Sequence, residues 1–311
     1  MKTKPFQELY LTLENVKLRF RKYPGKTSKN PILLIHGLSG NLQFMHRIAT
    51  ALAPLGRDVY SYDLRGRGKS DKPEGIYGPE IHAEDLKQSI EALKLGAVSI
   101  VAHSLGCWIC LALAEKNANL ISKSVLLDGG AVQPILRKWR NLQMVRLSLT
   151  RIGRFFSQKA DYFQEIQDSP FISAWNDSIE QMFAYELEKT EKGYTCSLPS
   201  YVMEAELNAL GGSLTNRTLV KNIFVSPSEF LNKLKKNKNL PYSKLTCPTL
   251  LVRALRENLS PSDEMIPDPS YQRMLSEIPN VRGLTLHECN HYQFIIEDCP
   301  VLDREMIYFL R

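Results

Sequence analysis

The chain has 311 residues, of which 43% are hydrophobic and 23% charged, and a net charge of +7. That size suits a core domain carrying a large insertion, and the composition is that of an ordinary globular protein. No apolar run approaches the roughly 20 residues that span a bilayer, which excludes stable membrane insertion.

Met1–Pro5 is charged but precedes no apolar segment, so no secretory leader is expected. Leu9–Tyr23 alternates apolar and polar residues as an antiparallel hairpin does, and 24–30 is a polar, turn-rich loop. Pro31–Ile35 is a continuous apolar run, as in a strand buried on both faces of a parallel sheet, and it ends in His36-Gly37-Leu38-Ser39-Gly40-Asn41. A helix over 43–55, a strand over 58–63, the loop Leu64–Asp71 and a helix over 79–95 follow. Val98–Leu111 then changes from period two to period 3.6 around Ala102-His103-Ser104-Leu105-Gly106. Ser124–Asp128 is the next strand, closed by Gly129-Gly130.

From Ala131 the strand–helix alternation stops. Helical patterns cover 133–158, 161–190, 200–210 and 227–237, the last opened by the capping box Ser226-Pro227-Ser228-Glu229. Strand 247–253, a helix over 261–278, strand 281–286 and a helix over 300–310 complete the chain. The expectation is an α/β core formed by 1–130 and 245–311, with helices on both faces of a parallel sheet and a helical cap over 131–244.

Between Arg137 and Lys159 lie seven Lys or Arg and no acid, interleaved with apolar residues. A solvated basic face of amphipathic helices is expected there, without nucleic acid as a partner, with an acidic substrate or an anionic membrane surface as the alternatives. Among the six cysteines only Cys107 and Cys110 have ligand-like spacing, and no second pair follows. Free thiols in a reducing cytoplasm, and no metal or cofactor, are the expectation.

The turn at 102–106 has the form of a nucleophile elbow: small residues two before and two after a serine at the end of a strand. A serine nucleophile needs a base oriented by a third group. Of the six histidines, His103 should point away from the serine. His36 should stabilise its turn, and His46 and His82 sit on helices. His287 lies at the end of the last strand, whereas His291 follows it in a loop that can overhang the sheet edge, making it the expected base. The acid is expected from the loop after strand 247–253, where Glu257 stands. Asp263 there reads as a helix cap, and Asp128 after the preceding strand is the alternative acid. Backbone N–H groups of Leu38 and Leu105 are the expected oxyanion donors.

The runs Leu33-Leu-Ile-His36-Gly37, Tyr62–Ser70, Ala102–Gly106, Cys247–Val252 and Asn290-His291-Tyr292 together resemble the α/β-hydrolase fold superfamily, in order and spacing. The resemblance implies an eight-stranded, mostly parallel sheet with its second strand antiparallel, a lid over the site, and a Ser–acid–His order. Departures are Ala for Gly at 102, Ala254 for Gly, and Glu257 for Asp. Epoxide hydrolases and dehalogenases of this fold carry an elbow aspartate, so Ser104 directs the expectation to a carboxylesterase-like serine hydrolase acting on a small apolar acyl substrate. C–C bond (diketone) hydrolysis, perhydrolysis, or a non-catalytic ligand receptor are the alternatives. The aromatics Trp139, Phe155, Phe156, Phe163, Phe171, Trp175, Phe183 and Tyr185 are expected mainly to pack the cap onto the core.

Overall fold

The apolar runs close into one eight-stranded sheet, seen in a computed structural model. It describes residues 6–311 apart from 170, 171, 173, 174, 237, 238 and 259–261, with backbone alone at 135, 136, 138–140, 144 and 233–236. Trp139, Phe171 and the lysines of 233–238 therefore lie outside the described side chains. The core elements before the insertion are β1 (Gln7–Thr12), β2 (Lys17–Tyr23), β3 (Thr27–Ile35), α1 (His46–Ala51), β4 (Arg57–Tyr62), α2 (Pro79–Ala92), β5 (Val98–His103), α3 (Leu105–Asn117) and β6 (Ile121–Leu127). The insertion carries α4 (Ile135–Ser148), β7 (Phe155–Phe156), α5 (Lys159–Gln167), α6 (Asp177–Tyr185), β8 (Leu187–Thr190), β9 (Gly193–Cys196), α7 (Ser200–Ala209), α8 (Asn216–Val225) and α9 (Pro227–Lys236). The core resumes with β10 (Thr249–Ala254), α10 (Asp268–Glu277), β11 (Val281–Leu286), α11 (Gln293–Ile296) and α12 (Pro300–Leu310).

Strand order is β1-β2-β4-β3-β5-β6-β10-β11, with β2 antiparallel to both its neighbours and the central strands parallel. The period-two rule divides each strand between two cores. Ile32, Leu34, Val101, Val125 and Leu127 face one layer, with Ile48, Leu302 and Met306 from its helices. Leu33, Ile35, Ile100, Ala102 and Leu126 face the other, with Leu86, Ile109 and Met274. All six residues of β5 are buried, as expected of a strand covered on both faces.

The cap differs from the all-helical expectation. A three-stranded antiparallel sheet, ordered β7-β9-β8, interrupts it where helix was expected over 133–158 and 161–190. Gly193, at φ 110°, turns β8 back onto β9. The helix over 216–225 was not anticipated; Thr215 caps it by accepting from the Thr218 amide at 3.1 Å. At the cap's root the Tyr242 hydroxyl donates to the Gly130 carbonyl at 2.7 Å and accepts from the Val132 amide at 3.2 Å. Among the described side chains of the 137–159 segment, three of the basic residues are paired, while Arg154 and Lys159 are exposed. Arg137 pairs with Glu264 at 2.6 Å, Arg151 with buried Glu186 at 2.6 Å, and Arg154 with Glu165.

Candidate active site

Ser104 stands where β5 turns into α3, at φ 53° and ψ −117°. Positive φ is rare for a residue with a Cβ and persists only where the surroundings fix it. Here small neighbours permit it. A Cβ on Gly106 would come 2.7 Å from the Ile35 carbonyl oxygen, and one on Gly129 would overlap the Ser104 carbonyl. Ala102, fully buried, fills the remaining small position, and the Ser104 amide donates to the Leu127 carbonyl at 3.0 Å.

His291 lies between β11 and α11. Its Nε2 is 3.1 Å from Ser104 Oγ, and its Nδ1 is 2.8 Å from Asp128 Oδ2. Facing a carboxylate, Nδ1 carries the proton and donates it, which leaves the Nε2 lone pair directed at the hydroxyl. Buried Asp128, at φ 50°, also accepts from the Ala254 amide through Oδ1 at 3.1 Å.

The carboxylate at His291 thus belongs to Asp128, not to Glu257, and this corrects the expectation. Glu257 is exposed, in the loop after β10. The loop after β10 does reach the site, but it turns Asn258 inward and leaves Glu257 exposed, while the turn after β6 brings buried Asp128 to the imidazole. The loop after β10 acts through its next residue instead, because Asn258 Oδ1 accepts the His291 amide at 3.2 Å. Asp263 does not cap a helix. It accepts from the Asn258 amide at 2.8 Å, and α10 begins only at Asp268. Asn258, Ala254 and Arg47 are contributors that the motifs did not reveal; Arg47 donates to the Phe294 carbonyl at 2.7 Å and binds Asp303, fixing α11 behind His291.

The other histidines are structural neighbours of the site or distant from it. His103 packs its ring against that of His291, centroids 4.7 Å apart, and donates from Nε2 to the His291 carbonyl at 3.1 Å. Burial, and then the nearby His291, hold its pKa well below the ordinary value. His46 meets the Tyr23 hydroxyl at 2.8 Å, and His287 is exposed. His36 donates from Nδ1 to the Gly37 carbonyl at 2.7 Å and accepts the Leu64 amide at Nε2, 3.1 Å. Because the peptide is trans, anchoring the Gly37 carbonyl aims the Leu38 N–H the opposite way. Leu38 and Leu105, the first residue of α3 and so without an intrahelical acceptor for its N–H, both line the cavity beside Ser104.

Burial lowers the His36 pKa from its ordinary 6.5 to about 3. The unfolded chain therefore binds a proton below 6.5 that the folded chain refuses until about pH 3. Stability is full above that window and falls by about 1.4 kcal/mol per pH unit as the pH drops through it, with His103 adding a contribution of the same sign. In denaturant titrations the slope should steepen as the pH falls from 7 to 5 and the unfolded histidines protonate, and His36→Asn should make it shallower by up to about one proton. An unchanged slope in that variant would exclude this origin.

The cap is joined to the loop carrying Leu38 through buried charge. Glu206 of α7 lies 2.7 Å from both Arg67 Nη2 and His82 Nε2, all three side chains being inaccessible to solvent. Arg67 Nε in turn donates to the Leu38 carbonyl at 3.0 Å. Burial alone would raise the Glu206 pKa, but His82 and Arg67 more than reverse this and bring it to about 2. Tyr185 of α6 donates to buried Asp63 at 2.7 Å, a second tie between cap and core.

Over Ser104 and His291 lies a cavity of about 340 Å³. Its walls are mainly apolar, including Phe44, Trp108, Leu142, Val145, Leu207 and Met265, with Asn141 a polar exception. None of the cap aromatics singled out from the sequence is among its lining side chains that are described. Phe163, Trp175 and Phe183 pack on one another, with centroids 5.7 and 6.4 Å apart along the series. Among the described residues no three His, Cys, Asp or Glu side chains cluster as a metal site requires, and no helix is long and apolar enough to cross a membrane.

Similarity searches agree with this geometry at the level of fold. The chain is 35% identical over 112 residues to a probable lysophospholipase, BODYGUARD 4, of Arabidopsis thaliana, a match covering 34% of this chain and 26% of that protein. It is 30% identical over 119 residues to the sn-1-specific diacylglycerol lipase ABHD11 of Danio rerio, covering 38% and 37% respectively. The matches thus span between about a quarter and somewhat over a third of these relatives' length. The solved structure of E-2-(acetamidomethylene)succinate hydrolase superposes with a TM-score of 0.72 at 19% identity, covering 98% of this chain and 99% of that one. A family model of the alpha/beta hydrolase fold matches residues 30–298, and the chain is a member of that family.

Proposed function

We propose that the protein is a serine hydrolase that cleaves a carboxylic ester or a related acyl bond of a small, apolar substrate. The reading rests on one observation: an unbroken hydrogen-bonded series, Ser104 Oγ to His291 at 3.1 Å and His291 to Asp128 at 2.8 Å, at the floor of an apolar cavity. In this reading Ser104 Oγ attacks the carbonyl carbon as His291 Nε2 takes its proton. The imidazolium is stabilised against Asp128, and the Leu38 and Leu105 N–H groups receive the oxyanion. Collapse expels the alcohol with the proton returned by His291, and water then releases the acyl group from Ser104 by the same steps in reverse. Lipase and lysophospholipase names among the relatives support acyl chemistry. A cytoplasmic setting belongs to the same reading, supported by six cysteines of which none forms a disulfide.

A fluorophosphonate probe tests the assignment. Stoichiometric labelling of the native protein at Ser104 is expected, with no labelling of Ser104→Ala, whose hydrolysis of p-nitrophenyl esters should fall to background. An unlabelled native protein would favour a ligand receptor instead. A series of acyl chain lengths across esters, thioesters and lactones would then define the preferred bond.

A further inference from the structure

Two helices of the cap leave large apolar side chains in water. Phe224 is 80% exposed, Val225 70%, Leu231 55% and Val220 50%. The arrangement on α8 is ordered. Leu219 and Ile223 line the cavity, the next stripe around the helix carries Val220 and Phe224, and the stripe after that carries Arg217 and Lys221. On α9, Phe230 lines the cavity and Leu231 is exposed beside it. Residues 216–238 contain six Lys or Arg and a single acid, Glu229.

We propose that the outer face of α8–α9 docks on an anionic lipid surface. The chemistry selects that occupant. Exposed aliphatic and aromatic side chains bordered by cations are what the headgroup–acyl boundary of an anionic bilayer accommodates, with the apolar stripe immersed and the cations at the phosphates. A second copy of the chain would bring two faces of the same positive charge together. Single-stranded nucleic acid would use stacking platforms, which Val220, Val225 and Leu231 do not provide. The docking is peripheral, since each helix is only 10 residues long. Because the same helices form part of the cavity wall, docking sets that wall against the lipid, where an acyl chain can pass along Val220 and Phe224 toward Ser104. This loading role rests on the acyl-ester reading of Ser104; the docking does not.

Sedimentation of Ser104→Ala protein with phosphatidylglycerol–phosphatidylcholine vesicles tests docking without turnover. Binding is expected, about tenfold weaker on pure phosphatidylcholine and weakened by salt. Phe224→Asp/Leu231→Asp and, separately, Arg217→Glu/Lys221→Glu should each reduce it about tenfold with the thermal melt unchanged. Absence of binding to the anionic vesicles, equal binding by the variants, or a dimer in solution that Phe224→Asp separates would overturn the docking. With the active protein, Phe224→Asp should slow hydrolysis of a vesicle-embedded ester about tenfold and leave p-nitrophenyl acetate turnover unchanged. Unchanged rates of the variant on both substrates would overturn the loading role, whereas failure to hydrolyse any ester would overturn the acyl reading and the loading role with it and leave the docking standing.

Discussion

Asp128→Asn is expected to lower kcat by about 10⁴-fold, while Glu257→Gln changes it by less than about twofold. The asparagine keeps an oxygen for the Ala254 amide, but the side chain no longer carries the charge that fixes the His291 tautomer and stabilises its protonated form. Nδ1 can then accept from the amide, turning the protonated nitrogen toward Ser104, where it cannot take the hydroxyl proton. Glu257, exposed and off the imidazole, has nothing comparable to lose. Steady-state kcat of the two variants on one p-nitrophenyl ester checks the assignment, and the opposite pattern would return the role to Glu257.

The second large effect is expected at the buried charge cluster. Glu206→Gln leaves the Arg67 guanidinium, which is inaccessible to solvent, without a counter-charge, a loss of about 3–5 kcal/mol. For a domain of this size that lowers the melting temperature by roughly 10 °C. Replacing both partners, Arg67→Met with Glu206→Leu, should recover part of the stability, because an apolar pair avoids the desolvation that the ions carry while buried His82 loses its Glu206 partner. Activity should part company with stability in that double variant. It lacks the Arg67 donor to the Leu38 carbonyl, so the oxyanion loop is less well fixed and kcat should fall by about 10- to 100-fold. Calorimetry and kinetics on the two variants separate these contributions, and a double variant with native kcat would show that Arg67 does not position the loop.

The core was legible in the sequence because its signals are local. Pro31–Ile35, Val98–Ala102 and Cys247–Val252 read as strands from continuous apolar runs, and Ala102 and Gly106 marked the elbow by size alone. The acid was not legible in the same way. Asp128-Gly129-Gly130 and the Glu257 loop both follow strands and both reach His291, and the choice depends on which side chain each turn points inward, a property of the assembled structure. The one local clue was Gly129, whose missing side chain lets that turn press on Ser104. The pairing of Arg137 and Arg151 escaped for a related reason, since their counter-charges Glu264 and Glu186 lie outside the 137–159 segment in the chain. The small cap sheet escaped because its strands are two to four residues long, too short for alternation to register.

The Tyr242 clasp and the β6–β10 pairing bear on how such a protein can change over generations. They close the base of the insertion independently of what lies beyond it: Ser124 to Leu127 pair with Thr249 to Val252, and the Asp128 amide donates to the Val252 carbonyl at 2.8 Å. Lengthening a closed loop is cheap, about 0.6 kcal/mol for each doubling. A lineage can therefore extend, trim or exchange the cap while Asp128, Ser104 and His291 keep their places, provided the new cap still brings a carboxylate to buried Arg67 as Glu206 does. The appetite for new substrates can drift without the chemistry having to be rediscovered, and grafting a foreign cap between Gly130 and Tyr242 is the corresponding route for a protein engineer.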